Sequence, residues 1–177
     1  MADLELTYTC PKGDVIMPLI TGEVKPKGIT LDYLEMDSPQ AYYQTLKFER
    51  FDVLKMSISF FFIGRSRGLS YRAIPVFTNR NLAYTTIYVH ADSGIKKPEQ
   101  LKGKRIGMFD YMQSRGIWMR GDLQHEFGVR PEDMEWWQER APGYSIMAGL
   151  RGDPPSIPSN VKLNFCTDDL ATMFLRR

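Results

Sequence analysis

Ser114 and Arg115 lie where the sequence predicts that a strand leads into the start of a helix. Residues 105–108 have the period-2 pattern of a short strand, and Ser114 is a good N-cap for an apolar series that stops at Gly128. The free N–H groups and the positive dipole end of a helix N-terminus hold anions. Arg115, in the first turn, opposes that dipole unless an anion lies nearby, so it also favours an anionic ligand. A capped helix without any ligand is the structural alternative.

The elements that position this corner alternate along the chain. Strands are predicted at residues 4–9, 29–36, 51–56, 71–77, 85–90, 105–108, 134–138 and 161–165, and helices at 14–21, 38–48, 59–67, 114–127 and after Thr167 or Asp168. This order is typical of an α/β fold with a largely parallel sheet. Ligands of such sheets bind beyond the carboxyl ends of the strands, and three such ends are predicted at residues 10–14, 57–59 and 109–114.

Two further expectations concern the helix at 114–127. We expect Trp118 to pack against the sheet and the small Gly121 to lie close to a neighbouring backbone. A long connection rich in Gly and Pro follows at residues 139–160, and such a connection is usually mobile or functional.

Composition excludes several classes of protein. The formal net charge is +2 with scattered basic residues, which argues against nucleic-acid binding. The acidic N-terminus does not resemble a secretory signal, and the longest apolar run, residues 60–63, is too short to cross a membrane. Two cysteines, Cys10 and Cys166, form no disulfide framework, which predicts reduced thiols and a cytoplasmic location.

Several segments, taken in order and at matching intervals, identify a family. They are GEVKPKG at 22–28, FDVLKMS at 51–57, IPVF at 74–77, Arg80, IYV at 87–89, GIKKPEQLKGKRIG at 94–107, and Tyr111 with Trp118, Arg120 and Gly121. In these segments the chain resembles the 4,5-dihydroxyphthalate decarboxylase family. It departs from the family at Ala83 and Tyr84, where members tend to have Arg and His, and at residues 15–17, which are apolar here.

The resemblance implies the two-lobed fold of type II periplasmic binding proteins, with mixed, mostly parallel sheets. The lobes would be residues 1–84 and 85–177. Members are about twice as long, so the resemblance implies that the second half of the fold is missing and that both lobes are incomplete. Unfinished sheet edges would then favour self-association into a homo-oligomer.

The implied function is decarboxylation of a hydroxylated aromatic acid held in a cleft between the lobes, without a cofactor, a metal, a nucleic acid or a membrane as partner. The substrate carboxylates would be held by Ser57, Ser59, Arg80, Ser114 and Arg115. Proton transfer would fall to Asp14, Tyr84 or Tyr111, with Asp110 as a further candidate, provided that their surroundings shift their pKa.

Structural alternatives accompany these assignments. The serines would cap helices, Arg80 would pair with a structural carboxylate, and Tyr84 and Tyr111 would be partly buried packing residues. At the level of the whole chain, the alternatives are a non-catalytic binding protein for a small anion or aromatic acid and a non-functional fragment. No His stands at metal-ligand spacing, so no metal site is predicted.

Overall fold

The computed structural model describes residues 3–78, 83–141, 143, 145–150, 152–153 and 155–176, with only the backbone at 83, 84 and 147. The chain divides into two units. The first unit consists of the described residues within Met1–Arg80 and Ile146–Asp153, and the second consists of the described residues within Asn81–Ser145 and Pro154–Arg177. No helix in these ranges has the length and apolar character that a bilayer span requires. The lobes expected at 1–84 and 85–177 stay a prediction.

A three-stranded parallel sheet forms the first unit, in the order β2-β1-β3. The elements are β1 (Leu4–Thr9), α1 (Met17–Ile20), β2 (Ile29–Tyr33), α2 (Ser38–Phe48), β3 (Val53–Leu54), α3 (Ile58–Ser66) and a 3-10 helix at Ile146–Gly149. Leu4 pairs with Ile29 and Tyr8 with Val53, so the carboxyl ends of β1 and β3 lie at one edge. Tyr8, Cys10 and Ile16 are buried beside them.

A second three-stranded parallel sheet, in the order β4-β5-β6, forms the second unit. Its elements are 3-10 helices at Ala83–Thr86, Pro98–Leu101 and Pro131–Asp133, β4 (Arg105–Met108), α4 (Ser114–Phe127), β5 (Glu135–Gln138), β6 (Lys162–Phe165) and α5 (Leu170–Arg176). α4 buries Met119 and Leu123 against Trp136 of β5 in a core that also holds Val129 and Met134. The predicted α/β fold with parallel sheets is thereby confirmed.

Two predicted strands are absent from the described residues. The backbone of 71–78 is irregular, and the 3-10 helix Ala83–Thr86 leads into irregular backbone up to residue 90. Val76 and Tyr88 are exposed by 65% and 79% of their surface. An alternating pattern forms a strand only beside a partner strand, and neither sheet offers one to these segments.

Two expectations about α4 are also wrong. Trp118 is 63% exposed instead of packing on the sheet, because Met119, Arg120 and Leu123 form the buried side of the helix. A Cβ added at Gly121 would meet no atom within 4 Å, so this glycine does not lie against a backbone.

The caps of two helices differ from expectation by one or two residues. Asp37, not Ser38, accepts a hydrogen bond from the Gln40 N–H at 2.7 Å, so it caps α2. Asp169, not Thr167 or Asp168, accepts one from the Thr172 N–H at 2.9 Å in the first turn of α5. Neighbouring capping residues have similar propensity, and only the backbone geometry distinguishes them.

Gly149 sets how closely the 3-10 helix Ile146–Gly149 approaches α2. A Cβ at this position would lie 2.8 Å from the carbonyl oxygen of Tyr43 and 3.3 Å from its Cα. Because backbone atoms must move to relieve that overlap, we expect Gly149→Ala to lower the free energy of unfolding by about 1–3 kcal/mol. Gly143→Ala is the matched control, since its Cβ would meet nothing within 4 Å. Equal effects of both variants in urea denaturation would contradict this packing.

Asp52 joins β1 to β3 at neutral pH. Its carboxylate accepts hydrogen bonds from the Thr7 hydroxyl at 2.6 Å and the Thr7 N–H at 2.8 Å. The hydroxyl and then the N–H hold the pKa of Asp52 below its ordinary value. The resulting stability is present above the ordinary pKa of an aspartate and is lost as the pH falls through the lowered folded value.

We therefore expect Asp52→Asn to lower the free energy of unfolding by about 1 kcal/mol at pH 7, a modest value because the pair is exposed. The difference from the unaltered chain should shrink in strong acid. Urea denaturation at pH 7 and pH 3 measures both values. Thr30→Val is the control. It also removes an exposed hydroxyl from this sheet, but the Thr30 hydroxyl makes no hydrogen bond to another described residue. A difference that stays constant with pH would contradict the assignment.

Candidate functional site

The corner between β4 and α4 consists of a strand, a loop and a helix start, as the sequence predicts, but its N-cap residue is Gln113 and not the predicted Ser114. β4 ends at Met108, and α4 begins at Ser114 and ends before Gly128, whose φ of 62° suits a glycine. Gln113, the N-cap residue, forms no side-chain hydrogen bond to the first turn, and that turn contains no acidic residue. Arg115 is exposed in the same turn. The N-cap residue therefore supplies no capping side chain to the positive end of this 14-residue helix.

The neighbouring helix α5 shows what such a cap would look like. Glu139, directly after β5, accepts a hydrogen bond from the Leu170 N–H at 2.8 Å through its carboxylate. A carboxylate of the chain itself thus occupies the start of α5. Among the described residues, neither Gln113 nor the first turn of α4 supplies such a carboxylate, and a carboxylate from a ligand would suit the same kind of place.

Asp110 holds the loop that leads into α4. It is 1% exposed, and its carboxylate accepts hydrogen bonds from the Met112 N–H at 3.1 Å and from the Ser145 hydroxyl at 2.7 Å. The Tyr111 N–H donates to the Gln138 side-chain oxygen at 2.7 Å. These buried bonds tie the loop to the end of β5 and to the connection after it, so the position of the first turn of α4 is well determined.

Tyr111 points into the core of the second unit. Its ring is 5% exposed, meets the Trp136 ring edge-on at 5.7 Å between centroids, and lies 3.7 Å from the guanidinium carbon of Arg120. Burial raises the pKa of the Tyr111 phenol, and the charge of Arg120 partly offsets this. The geometry suits the packing role that the sequence allowed for this tyrosine.

The candidates of the first unit share the edge where β1 and β3 end. The hydroxyls of Ser57 and Ser59 lie 3.2 Å apart at the start of α3, with Ser59 buried and Ser57 partly buried. Ser57 is the N-cap residue of α3 but makes no side-chain capping hydrogen bond. Asp14 is exposed in the turn before α1.

The structure thus brings Ser57 and Ser59 together in the first unit, and Ser114 and Arg115 in the second. Arg80 lies outside the described residues, as does the side chain of Tyr84. Among the described residues no three His, Cys, Asp or Glu side chains gather as metal ligands would. The assignment of binding and catalytic roles to these residues stays a prediction.

A groove of about 230 Å³ in the second unit lies apart from these candidates. Its walls are mainly apolar, with Ile95, Leu101 and Phe127 among them and Lys96 and Lys97 at the rim. None of the predicted site residues whose side chains the structure describes lines it.

Arg120 is the residue that sequence reasoning passed over. It belongs to the segments that carry the family resemblance, yet it was assigned no role. The available signal was its spacing, because it stands between Gly116 and Leu123 on the buried side of α4. A charged residue in an apolar stripe is rare without a partner or a function.

Comparisons with known proteins agree with the sequence pattern. Residues 25–147 match the family model described as NMT1/THI5 like. The chain is 33% identical over 137 residues to a 4,5-dihydroxyphthalate decarboxylase of Comamonas testosteroni, which covers 77% of this chain and 42% of the relative. It is 32% identical over 122 residues to the protein of the same name from Pseudomonas putida, or 68% of this chain and 47% of the relative. The chain thus spans less than half the length of these curated relatives.

Proposed function

This chain belongs to the NMT1/THI5-like family, whose fold is that of periplasmic binding proteins, and we propose that it binds a small aromatic carboxylate at the start of α4. We further propose that the bound acid is decarboxylated, with a hydroxylated phthalate such as 4,5-dihydroxyphthalate as the substrate. The curated relatives carry the name of that activity.

The observation that supports this proposal is the start of α4, where Gln113, the N-cap residue, makes no capping hydrogen bond with its side chain. Four N–H groups at a helix start lack intrahelical partners, and a ligand carboxylate can bind them as Glu139 binds the start of α5. Arg115 adds an exposed cation to the same turn. The Asp110 network holds the loop in place, so the site would need little reorganisation when the anion binds.

The reaction makes further demands on the protein. The bond between the ring and one carboxylate breaks, carbon dioxide leaves, and the electron pair left on the ring carbon takes a proton. A donor must lie near that carbon, and the other carboxylate must be held. Asp14 and Tyr84 stay candidates for the donor, and Ser57, Ser59 and Arg80 for holding the acid.

A capping carboxylate tests the binding site directly. We expect Gln113→Asp to cap α4, to raise the free energy of unfolding by up to about 1 kcal/mol, and to weaken phthalate binding at least tenfold, because it occupies the anion's place. Gln124→Asp, at an exposed position near the other end of the same helix, is the matched control and should leave the affinity unchanged. Calorimetric titration at low ionic strength measures the affinity, and a Gln113→Asp variant that binds phthalate normally would reject the site.

Turnover needs a separate measurement. Carbon dioxide released from 4,5-dihydroxyphthalate, and absent from the Gln113→Asp variant, is the result expected of a decarboxylase. The second candidate function is binding without turnover. It is favoured by the buried packing of Tyr111, which removes one predicted proton-transfer group from the edge of the sheet. Binding of phthalate without any release of carbon dioxide would decide for this second function.

A further inference from the structure

Arg120 is a buried cation in the middle of the apolar side of α4. It is 9% exposed, and its neighbours on that side of the helix are Gly116, Met119 and Leu123. Burial lowers the pKa of its guanidinium, and the neighbouring Tyr111 phenol partly restores it. Burying an arginine is unfavourable unless something compensates its charge.

Among the described residues, the groups that lie against this charge are aromatic rings. The guanidinium carbon lies 3.7 Å from the centroid of Tyr111 and 5.7 Å from that of Trp136. Within the described residues, Nη1 of Arg120 has no hydrogen-bond partner, and no carboxylate forms an ion pair with this side chain. Asp110, in the nearby loop, bonds to Met112 and Ser145. Cation–π contacts offset only part of the cost of desolvation.

The side chain of Arg120 runs back towards the start of α4, as long side chains on helices do. Its Nη1 lies 3.2 Å from the point where a Cβ of Gly116 would stand, in the first turn of the helix. The same point is 3.2 Å from Cε of Met108 and 3.6 Å from the carbonyl oxygen of Tyr111. The charge is therefore buried where the end of β4, the loop and the first turn of α4 meet.

We infer that Arg120 raises the affinity of the α4 N-terminus for anions through its charge, from beneath the helix and without touching the ligand. The buried positive charge adds to the positive end of the helix dipole, and little water lies between them to screen it. The carboxylate of the ligand then supplies the counter-charge that the described residues do not. This inference rests on the proposed function, since it concerns the same site.

A charge that acts at a distance has an effect that scales with the charge of the ligand. If its removal weakens binding of the monoanion benzoate by a given factor, it should weaken binding of the dianion phthalate by about the square of that factor. A purely structural role would instead distort the site and weaken both ligands by similar factors. The ratio of the two affinities therefore distinguishes charge from packing.

The experiment compares Arg120→Met with Arg120→Lys. Methionine keeps an unbranched chain against Tyr111 and removes a costly buried charge, so the fold should persist, as a melting curve would show. We expect Arg120→Met to weaken benzoate binding about tenfold and phthalate binding about a hundredfold at low salt. Lysine should restore most of the affinity, because it keeps the positive charge, although its ammonium group makes less contact with the Tyr111 ring than a guanidinium does.

Each other outcome overturns the inference. Arg120 would have a structural role if Arg120→Met bound both acids as tightly as the unaltered chain does. The same would follow if Arg120→Met lost equal affinity for benzoate and phthalate, or if Arg120→Lys bound as weakly as Arg120→Met. If Gln113→Asp abolishes binding while Arg120→Met does not, the proposed site stands and only this inference fails. If the unaltered chain binds neither probe, both fail.

Discussion

Replacing Trp136 with alanine is expected to lower the free energy of unfolding of the second unit by about 3–5 kcal/mol, which is a large part of the stability of a small domain. The Trp136 side chain is fully buried on β5, meets the Tyr111 ring edge-on, and donates a hydrogen bond from its indole N–H to the Pro131 carbonyl at 2.7 Å. Alanine would leave a cavity beneath α4 and remove that bond. Urea denaturation followed by circular dichroism, with amide exchange of β5, measures the loss.

Trp118 provides the matched control for Trp136. It is a tryptophan of the same unit, but it stands 63% exposed on α4. We expect Trp118→Ala to change the free energy of unfolding by less than about 0.5 kcal/mol, as exposed substitutions usually do. A loss for Trp118→Ala as large as that for Trp136→Ala would contradict the burial described for both residues.

Asp110→Ala should have the second largest effect, and it should act on both stability and binding. The change removes the carboxylate that accepts hydrogen bonds from the partly buried Met112 N–H and from the buried Ser145 hydroxyl. We expect the free energy of unfolding to fall by about 2–4 kcal/mol, since each buried unpaired donor costs roughly 1–3 kcal/mol. Phthalate affinity should fall as well, because the loop that presents the start of α4 loses its anchor.

Ser145→Ala and Asp110→Asn separate the contributions to this anchor. Ser145→Ala removes one of the two bonds and should cost about 1 kcal/mol. Asp110→Asn keeps the shape and one accepting oxygen, so it should fall between the unaltered chain and Asp110→Ala. Calorimetric titration with phthalate and urea denaturation on the same samples give both quantities. An Asp110→Ala variant as stable as the unaltered chain would show that the loop does not depend on this carboxylate.

The β4–α4 corner could be predicted almost completely from the sequence. The strand at 105–108 agrees with the structure residue for residue, and the helix begins at Ser114 and ends before Gly128 as expected. Both signals are local, since a period of two and a glycine stop act within a few residues of the chain. The sequence places the N-cap one residue too late, at Ser114, whereas Gln113 is the N-cap residue of the structure.

The segments at 71–77 and 85–90 show where such prediction stops. Both segments are rich in the apolar, β-branched and aromatic residues typical of strands, yet neither is a strand in the described residues. Hydrogen bonds along a strand are made with another strand, which can stand anywhere in the chain. The residue composition of a segment indicates that it could join a sheet, but it does not indicate whether a partner strand lies beside it in the fold.

The sequence by itself determined the α/β class, the family and the place of the β4–α4 corner, because periodicity, glycine stops and short motifs act over a turn or two of chain. Only the tertiary structure decided which tryptophan is core, that Asp110 closes the loop, and that the charge of Arg120 lies beneath the start of α4. Burial and pairing depend on what lies opposite a side chain in space. That neighbour is set by the packing of α4 on its sheet, which brings residues distant in sequence into contact.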